Sequence, residues 1–210
     1  YKRQVLIDIK SGDILSLVST PSYNPNNFVL GISQSNWNAL LNDERKPLLN
    51  KATSGAYPPG STFKMVVAAA ALELGLIGLN DKIFCAGFYE LGSRKFHCWL
   101  KGGHGKLTLQ EGIQKSCDVY FYEVARKVGV KRIGDMARRL GLGQAYNLPL
   151  TGLSKGFVPT KKWKKERFGT SWLVGDTLNV GIGQGFSLAT PLQLAVMTAR
   201  LASGKEVTPN

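Results

Sequence analysis

The sequence has no apolar run long enough to cross a bilayer. Its longest, residues 65–74, is about half of the roughly 20 residues a membrane helix needs. Residues 1–4 carry no hydrophobic signal core, so these 210 residues read as a soluble piece, and any membrane anchor is expected outside them. Acidic side chains are scarce, 14 against 27 Lys and Arg, and the net charge of +13 favours anionic surroundings such as nucleic acid, anionic lipid or an acidic polymer. The excess gathers in residues 131–139 and 161–165, yet no nucleic-acid-binding signature accompanies it, which argues against a nucleic-acid partner. Internal repeats are absent, and the glycine run Gly181-Ile182-Gly183-Gln184-Gly185 lacks the spacing and the lysine of a phosphate loop. Cysteine and histidine are rare, with 3 and 2 residues. An apolar content of 43% with 20% charge excludes a disordered chain, and the length suffices for one substantial core.

Two β-rich runs, residues 4–9 and 14–18, flank a turn containing Gly12 and predict an opening hairpin. Residues 19–27 read as a loop, 36–41 as a short helix, and 47–60 as a loop leading into an apolar helix that stops at Gly75. Residues 80–105 show no sustained period and are expected to be irregular, a length of loop that calls for a special explanation. Thr108 and Glu111 form a capping box for a helix breaking near Ser116; further helical patterns cover 119–128 and 131–140, the latter closed by Gly141. Residues 154–177 read as irregular and basic. Thr190 as N-cap, Pro191 in the first turn and Gly204 as terminator mark a last helix.

The stretch Ala56-Tyr57-Pro58-Pro59-Gly60-Ser61-Thr62-Phe63-Lys64-Met65 holds the densest chemistry. Two prolines disfavour helix before Gly60, and the apolar residues after Phe63 predict a buried helix starting at or beside Ser61. Residues three apart share a helix face, so the Lys64 amine is expected near the Ser61 oxygen. A serine hydroxyl needs a base to become a nucleophile at neutral pH, and a lysine in an apolar site can serve. The helix start adds N–H groups suited to a developing oxyanion. The alternative is an N-cap serine followed by a solvated lysine. Further along, Ser116 and Asp118 place a hydroxyl and a carboxylate two residues apart at a helix junction, where the serine can relay a proton and the aspartate fix the basic group.

Three ordered blocks, Tyr57-Pro58-Pro59-Gly60-Ser61-Thr62-Phe63-Lys64, Ser116-Cys117-Asp118-Val119-Tyr120-Phe121-Tyr122 and Gly181-Ile182-Gly183-Gln184-Gly185 with Thr190-Pro191-Leu192-Gln193, resemble the transpeptidase domain of class B penicillin-binding proteins of the elongation type. The resemblance implies an α/β (α+β) fold shared with serine β-lactamases, a mostly antiparallel sheet flanked by helices, incomplete at the C-terminal end. It implies Ser61 as the acylated nucleophile, Lys64 as its base, Ser116 as an assistant in proton transfer, and Asp118 where many relatives carry Asn. The implied substrate is the D-Ala-D-Ala end of a peptidoglycan stem peptide, with β-lactams as mimics. The implied partners are a membrane glycan polymerase and elongation-complex scaffold proteins, and the implied location is the periplasmic side of a bacterial inner membrane. The family's third motif, Lys-Ser/Thr-Gly, is absent from residues 1–210, so the chain is expected to be a truncated domain impaired in acylation. A β-lactamase or D,D-carboxypeptidase is the neighbouring enzyme class; a non-catalytic β-lactam sensor or scaffold is the alternative outside enzymes.

Every cysteine, and both histidines, fall between residues 85 and 117. Three thiolates and an imidazole from Cys85, Cys98, His104 and Cys117 make a closed tetrahedral Zn²⁺ set, and such a metal would order the glycine-rich segment 80–105. His104, flanked by Gly103 and Gly105, is favoured over His97, which adjoins Cys98. Four protein ligands leave no open position, so the metal's expected role is structural, holding Cys117 and thereby the second motif. Alternatives are a Cys85–Cys98 disulfide with Cys117 buried and free, suited to the oxidising compartment the resemblance implies, or three unrelated core residues.

Overall fold

The computed structural model describes residues 2–210, which fall into two compact units. The first comprises the chain to Tyr57, Gln144–Gly156 and Ala189–Asn210. Its hairpin pairs β1 (Lys2–Ile7) with β2 (Ile14–Thr20) in antiparallel register, Val5 opposite Leu17, with an irregularity between Leu6 and Ile7. The turn closes on Asp8, whose Oδ1 accepts from the Lys10 and Ser11 amides at 2.7 and 2.9 Å. Gly12 sits there at φ +87°, where a Cβ would overlap the Thr208 carbonyl, so the position requires glycine. Ser33 caps the short helix α1 (Gln34–Asn42). The unit's long helix, numbered α8 in chain order (Pro191–Ser203), carries the anticipated Thr190–Gln193 capping box and ends at left-handed Gly204. Its Leu192, Val196 and Met197 are buried, and Gln193 Nε2 donates to the Gln144 and Lys155 carbonyls, both at 2.8 Å, which satisfies a buried amide with the backbone of 144–156.

The second unit comprises Pro58–Gly143 and Phe157–Leu188. A 3-10 turn over Gly60–Phe63 runs directly into α2 (Lys64–Glu73). Four short strands follow, β3 (Ile83–Cys85), β4 (Phe88–Leu91), β5 (Arg94–His97) and β6 (Gly105–Leu107), pairing antiparallel as β3–β6 and β4–β5. Then come α3 (Leu109–Gln114), α4 (Asp118–Val128), α5 (Val130–Arg139), α6 (Lys161–Phe168) and α7 (Val174–Gly181). Helices α2 and α7 pack against α4, whose Val119, Tyr120, Phe121, Val124 and Ala125 are almost wholly buried. Among the described residues all pairing between strands is antiparallel, divided among three two-stranded ladders.

Two expectations are corrected. Residues 80–105 are a pair of nested ladders and not an irregular loop; their strands of 3 or 4 residues are too short to show alternation. Residues 154–177 hold α6 and the start of α7. Helix α6 reads KKWKKERF and buries only Lys164, so it has no apolar stripe; Thr160 at its N-cap and left-handed Gly169 at its C-cap delimit it. Among the described residues no helix is long and apolar enough to cross a membrane.

Candidate active site and metal centre

The site lies wholly within the second unit. Ser61 occupies the 3-10 turn ahead of α2 and not the helix N-cap, with its side chain exposed. Pro59 enters the turn with φ −67° and Thr62 Oγ1 donates back to its carbonyl at 2.7 Å, which ties the turn shut. On the other side the Gly60 amide donates to the Gly183 carbonyl at 2.9 Å. Gly183, at φ +70°, lies so close to Gly60 that a Cβ would overlap the Gly60 backbone. The glycine run, which lacks the features of a phosphate loop, therefore braces the turn bearing Ser61.

Lys64, the first residue of α2, is 2% exposed. Its Nζ donates to Ser116 O at 2.7 Å, Ser116 Oγ at 3.0 Å and Asp118 Oδ1 at 2.7 Å, which uses all three ammonium protons. Ser116 Oγ in turn donates to Ser61 Oγ at 2.8 Å. The four residues Ser61, Lys64, Ser116 and Asp118 thus come together, with one difference from the helical-face expectation. Lys64 reaches Ser61 through Ser116, because three acceptors on the 116–118 turn capture the amine. Ser116 stands between α3 and α4 at φ +50°, a left-handed conformation rare outside glycine. Asp118 opens α4, and its Oδ2 accepts the Trp99 amide at 3.1 Å.

Beside this turn the ligand atoms of Cys85, Cys98, His104 and Cys117 all lie within 4.8 Å of one another. His104 Nδ1 is 3.6 Å from both the Cys85 and Cys98 sulfurs, and the Cys98 and Cys117 sulfurs are 4.0 Å apart. Ligands at zinc bond lengths on a tetrahedron stand about 3.5–3.8 Å apart, so the donor set fits that ion and its closest pairs already stand near that spacing. The ladders explain the convergence: Cys85 ends β3, Cys98 follows β5, His104 precedes β6, and Cys117 caps α4, its sulfur accepting the Tyr120 amide at 3.4 Å. All three cysteines are buried free thiols. Burial lowers the His104 pKa and so favours the neutral imidazole that ligates metals, and burial pushes the Cys117 thiol up. His97 lies outside the cluster, at the end of β5.

Trp99 carried no sequence signal, since its backbone amide and indole N–H act on partners well along the chain. Gly183 was legible only as part of the glycine run, and its bracing role depends on a neighbour far away in the chain.

Residues 4–210 match the family model described as the penicillin binding protein transpeptidase domain. The peptidoglycan D,D-transpeptidase MrdA of Escherichia coli strain K12 is 45% identical over 193 residues, 91% of this chain and 30% of that protein. A crystal structure of Pseudomonas aeruginosa PBP2 in complex with WCK 5153 superposes with a TM-score of 0.94 at 40% identity, covering 99% of this chain and 48% of that one. PBP2 of Helicobacter pylori, in its complex with MreC, superposes with a TM-score of 0.94 at 41% identity over 99% of this chain and 39% of that one. The chain thus spans about a third of the length of the curated relative.

Proposed function

We propose that this chain, which belongs to the penicillin-binding protein transpeptidase domain family, carries the acylation centre of a peptidoglycan D,D-transpeptidase acting in cell-wall elongation. The observation that carries the reading is the unbroken chain from Lys64 Nζ through Ser116 Oγ to the exposed Ser61 Oγ, at 3.0 and 2.8 Å. With Lys64 neutral and the hydroxyls turned about, the Ser61 proton passes to Ser116 Oγ while the Ser116 proton passes to Lys64 Nζ. Ser61 Oγ then bonds to the carbonyl carbon of the penultimate D-Ala of a stem peptide. The carbonyl oxygen becomes an oxyanion, and the C–N bond to the terminal D-Ala breaks as the proton returns from Lys64 along the same route to the departing amine. A second stem's amine attacks the ester, gives its proton to the relay and frees Ser61. Asp118 offsets the ammonium that Lys64 becomes at each half-cycle, through its 2.7 Å contact. A β-lactam follows the first half and stalls, because its leaving amine stays tethered.

Cys85, Cys98, His104 and Cys117 would hold a structural Zn²⁺, which would fix Cys117 between Ser116 and Asp118. By likeness to its relatives, the chain belongs on the periplasmic side of a bacterial inner membrane. Its partners there are stem peptides, β-lactams, a membrane glycan polymerase and a scaffold protein of the kind MreC is for the Helicobacter pylori protein. Incubation with a penicillin followed by intact-mass measurement and peptide mapping tests the reading. A slowly formed adduct on Ser61, absent from Ser61→Ala, is expected. Acylation mapped to another hydroxyl, or none on a chain shown folded by circular dichroism, overturns it.

A further inference from the structure

Trp99 follows Cys98 of the candidate metal cluster and is 62% exposed, so burial of apolar surface does not account for its placement. Both of its N–H donors go instead to the second motif. The backbone amide donates to Asp118 Oδ2 at 3.1 Å, and the indole Nε1 donates to the Lys115 carbonyl at 3.1 Å. The ring meets His104 edge-on, with centroids 5.2 Å apart, so the indole is held from the cluster side as well.

The Lys115 carbonyl belongs to the peptide that leads into Ser116, the residue at φ +50°. That φ aims the carbonyl and hydroxyl carried on the Ser116 Cα, as a unit, from the Lys115–Ser116 peptide toward one amine: Ser116 O and Ser116 Oγ both accept from Lys64 Nζ. Relaxing φ to a negative value, with the Lys115–Ser116 peptide held in place, swings both atoms together away from Nζ. The turn is otherwise held by backbone bonds from Ser116 N to Ile113 O at 3.0 Å and Cys117 N to Gly112 O at 2.9 Å. Trp99 supplies the side-chain clamp on the far face of the same peptide.

We infer that Trp99 is a positioning residue for the acylation step, its indole N–H holding Ser116 in the left-handed conformation that aligns the proton relay. The inference rests on the reading of Ser61 and Lys64 given above. Trp99→Phe isolates the indole donor, since it keeps an aromatic ring and leaves the backbone amide on Asp118. Stopped-flow acylation by a fluorescent penicillin separates the pre-acylation dissociation constant from the first-order acylation rate. Loss of one neutral hydrogen bond that acts in the transition state predicts an acylation rate about tenfold lower, with dissociation constant, Tm and bound zinc unchanged. An unchanged rate overturns the inference, as does a lower rate accompanied by an equal loss of Tm or of zinc, which marks a merely structural tryptophan. If the unsubstituted chain takes no acyl group on Ser61, the functional reading fails, and the Trp99 indole proton in a 15N-labelled sample then decides the clamp. Slow exchange supports it, and exchange at the rate of a free indole overturns it.

Discussion

Replacing Asp118 by alanine is expected to destabilise the second unit strongly, and the size follows from where Lys64 lies. The pair is 2.7 Å apart, with side-chain exposures of 3% for Lys64 and 15% for Asp118. Removing one partner of such a pair leaves a buried charge uncompensated and typically costs about 3–5 kcal/mol. The lower end applies, because Ser116 O and Oγ still accept two of the ammonium protons. A cost of about 3 kcal/mol corresponds to a drop in Tm of roughly 6–12 °C in a chain of this size. Asp118→Asn also leaves the ammonium without its counter-charge but keeps an oxygen toward Nζ; the retained acceptor offsets about 1 kcal/mol, so its cost is about 2 kcal/mol, or roughly 4–8 °C. The double substitution Lys64→Met with Asp118→Leu removes both charges and is expected to be milder than Asp118→Ala. Thermal unfolding followed by circular dichroism at neutral pH and saturating zinc reads all three. A Tm for Asp118→Ala within 2 °C of the parent, or a parent-like Tm for Asp118→Asn, would refute the argument that Lys64 depends on this carboxylate.

Elemental analysis of the purified protein is expected to find one zinc per chain. Chelation or Cys117→Ala should release it and lower Tm by about 10 °C or more, since binding energy at a closed structural site is folding energy; a metal-free chain with the same Tm would dispose of the centre. Gly183→Ala places a side chain at φ +70° and against the Gly60 backbone, so it is expected to cost about 2 kcal/mol and to slow acylation of Ser61. Gly185→Ala, at φ +74° but with only the Asn179 Cβ at 3.4 Å nearby, is the matched control and should cost about 1 kcal/mol with acylation little changed. Equal acylation rates for the two variants would show that Gly183 does not brace the nucleophile turn.

The elements legible in the sequence are those whose ends are written in side chains. Helix α8 was bounded by Thr190, Pro191 and Gly204, and α3 by the Thr108–Glu111 box, because capping is local chemistry. Helix α6 was not legible, since a helix that buries one lysine shows no period; Lys164 goes inward because Asp176 of α7 meets it at 2.5 Å, a partner invisible to a local pattern. Strands β3 to β6 escaped for a related reason: each is short, and what pairs them is the return of the chain rather than alternation.

The chemical residues separate along the same line. Ser61 and Lys64 could be paired from spacing alone, yet the spacing pointed to direct contact, whereas the three protons of Lys64 are taken by acceptors far away in the sequence. A helical face says which residues are neighbours and nothing about competing acceptors brought in by another element. The cysteines and His104 were legible as a set only because the chain has so few of either residue. The cysteine sulfurs gather beside the turn from Lys115 to Asp118, where Ser116, like Lys46 elsewhere in the chain, holds a left-handed backbone. A left-handed serine persists only when its surroundings over-determine it. Here Lys64 holds its carbonyl, Trp99 the preceding one, and Gly112 the next amide, while Cys117 ties the turn to the sulfur cluster. Any one of these supports is weak alone. Their convergence on a single residue is the physical reason to regard the 98–104 segment as part of the acylation machinery, although none of its side chains touches Ser61 by a hydrogen bond.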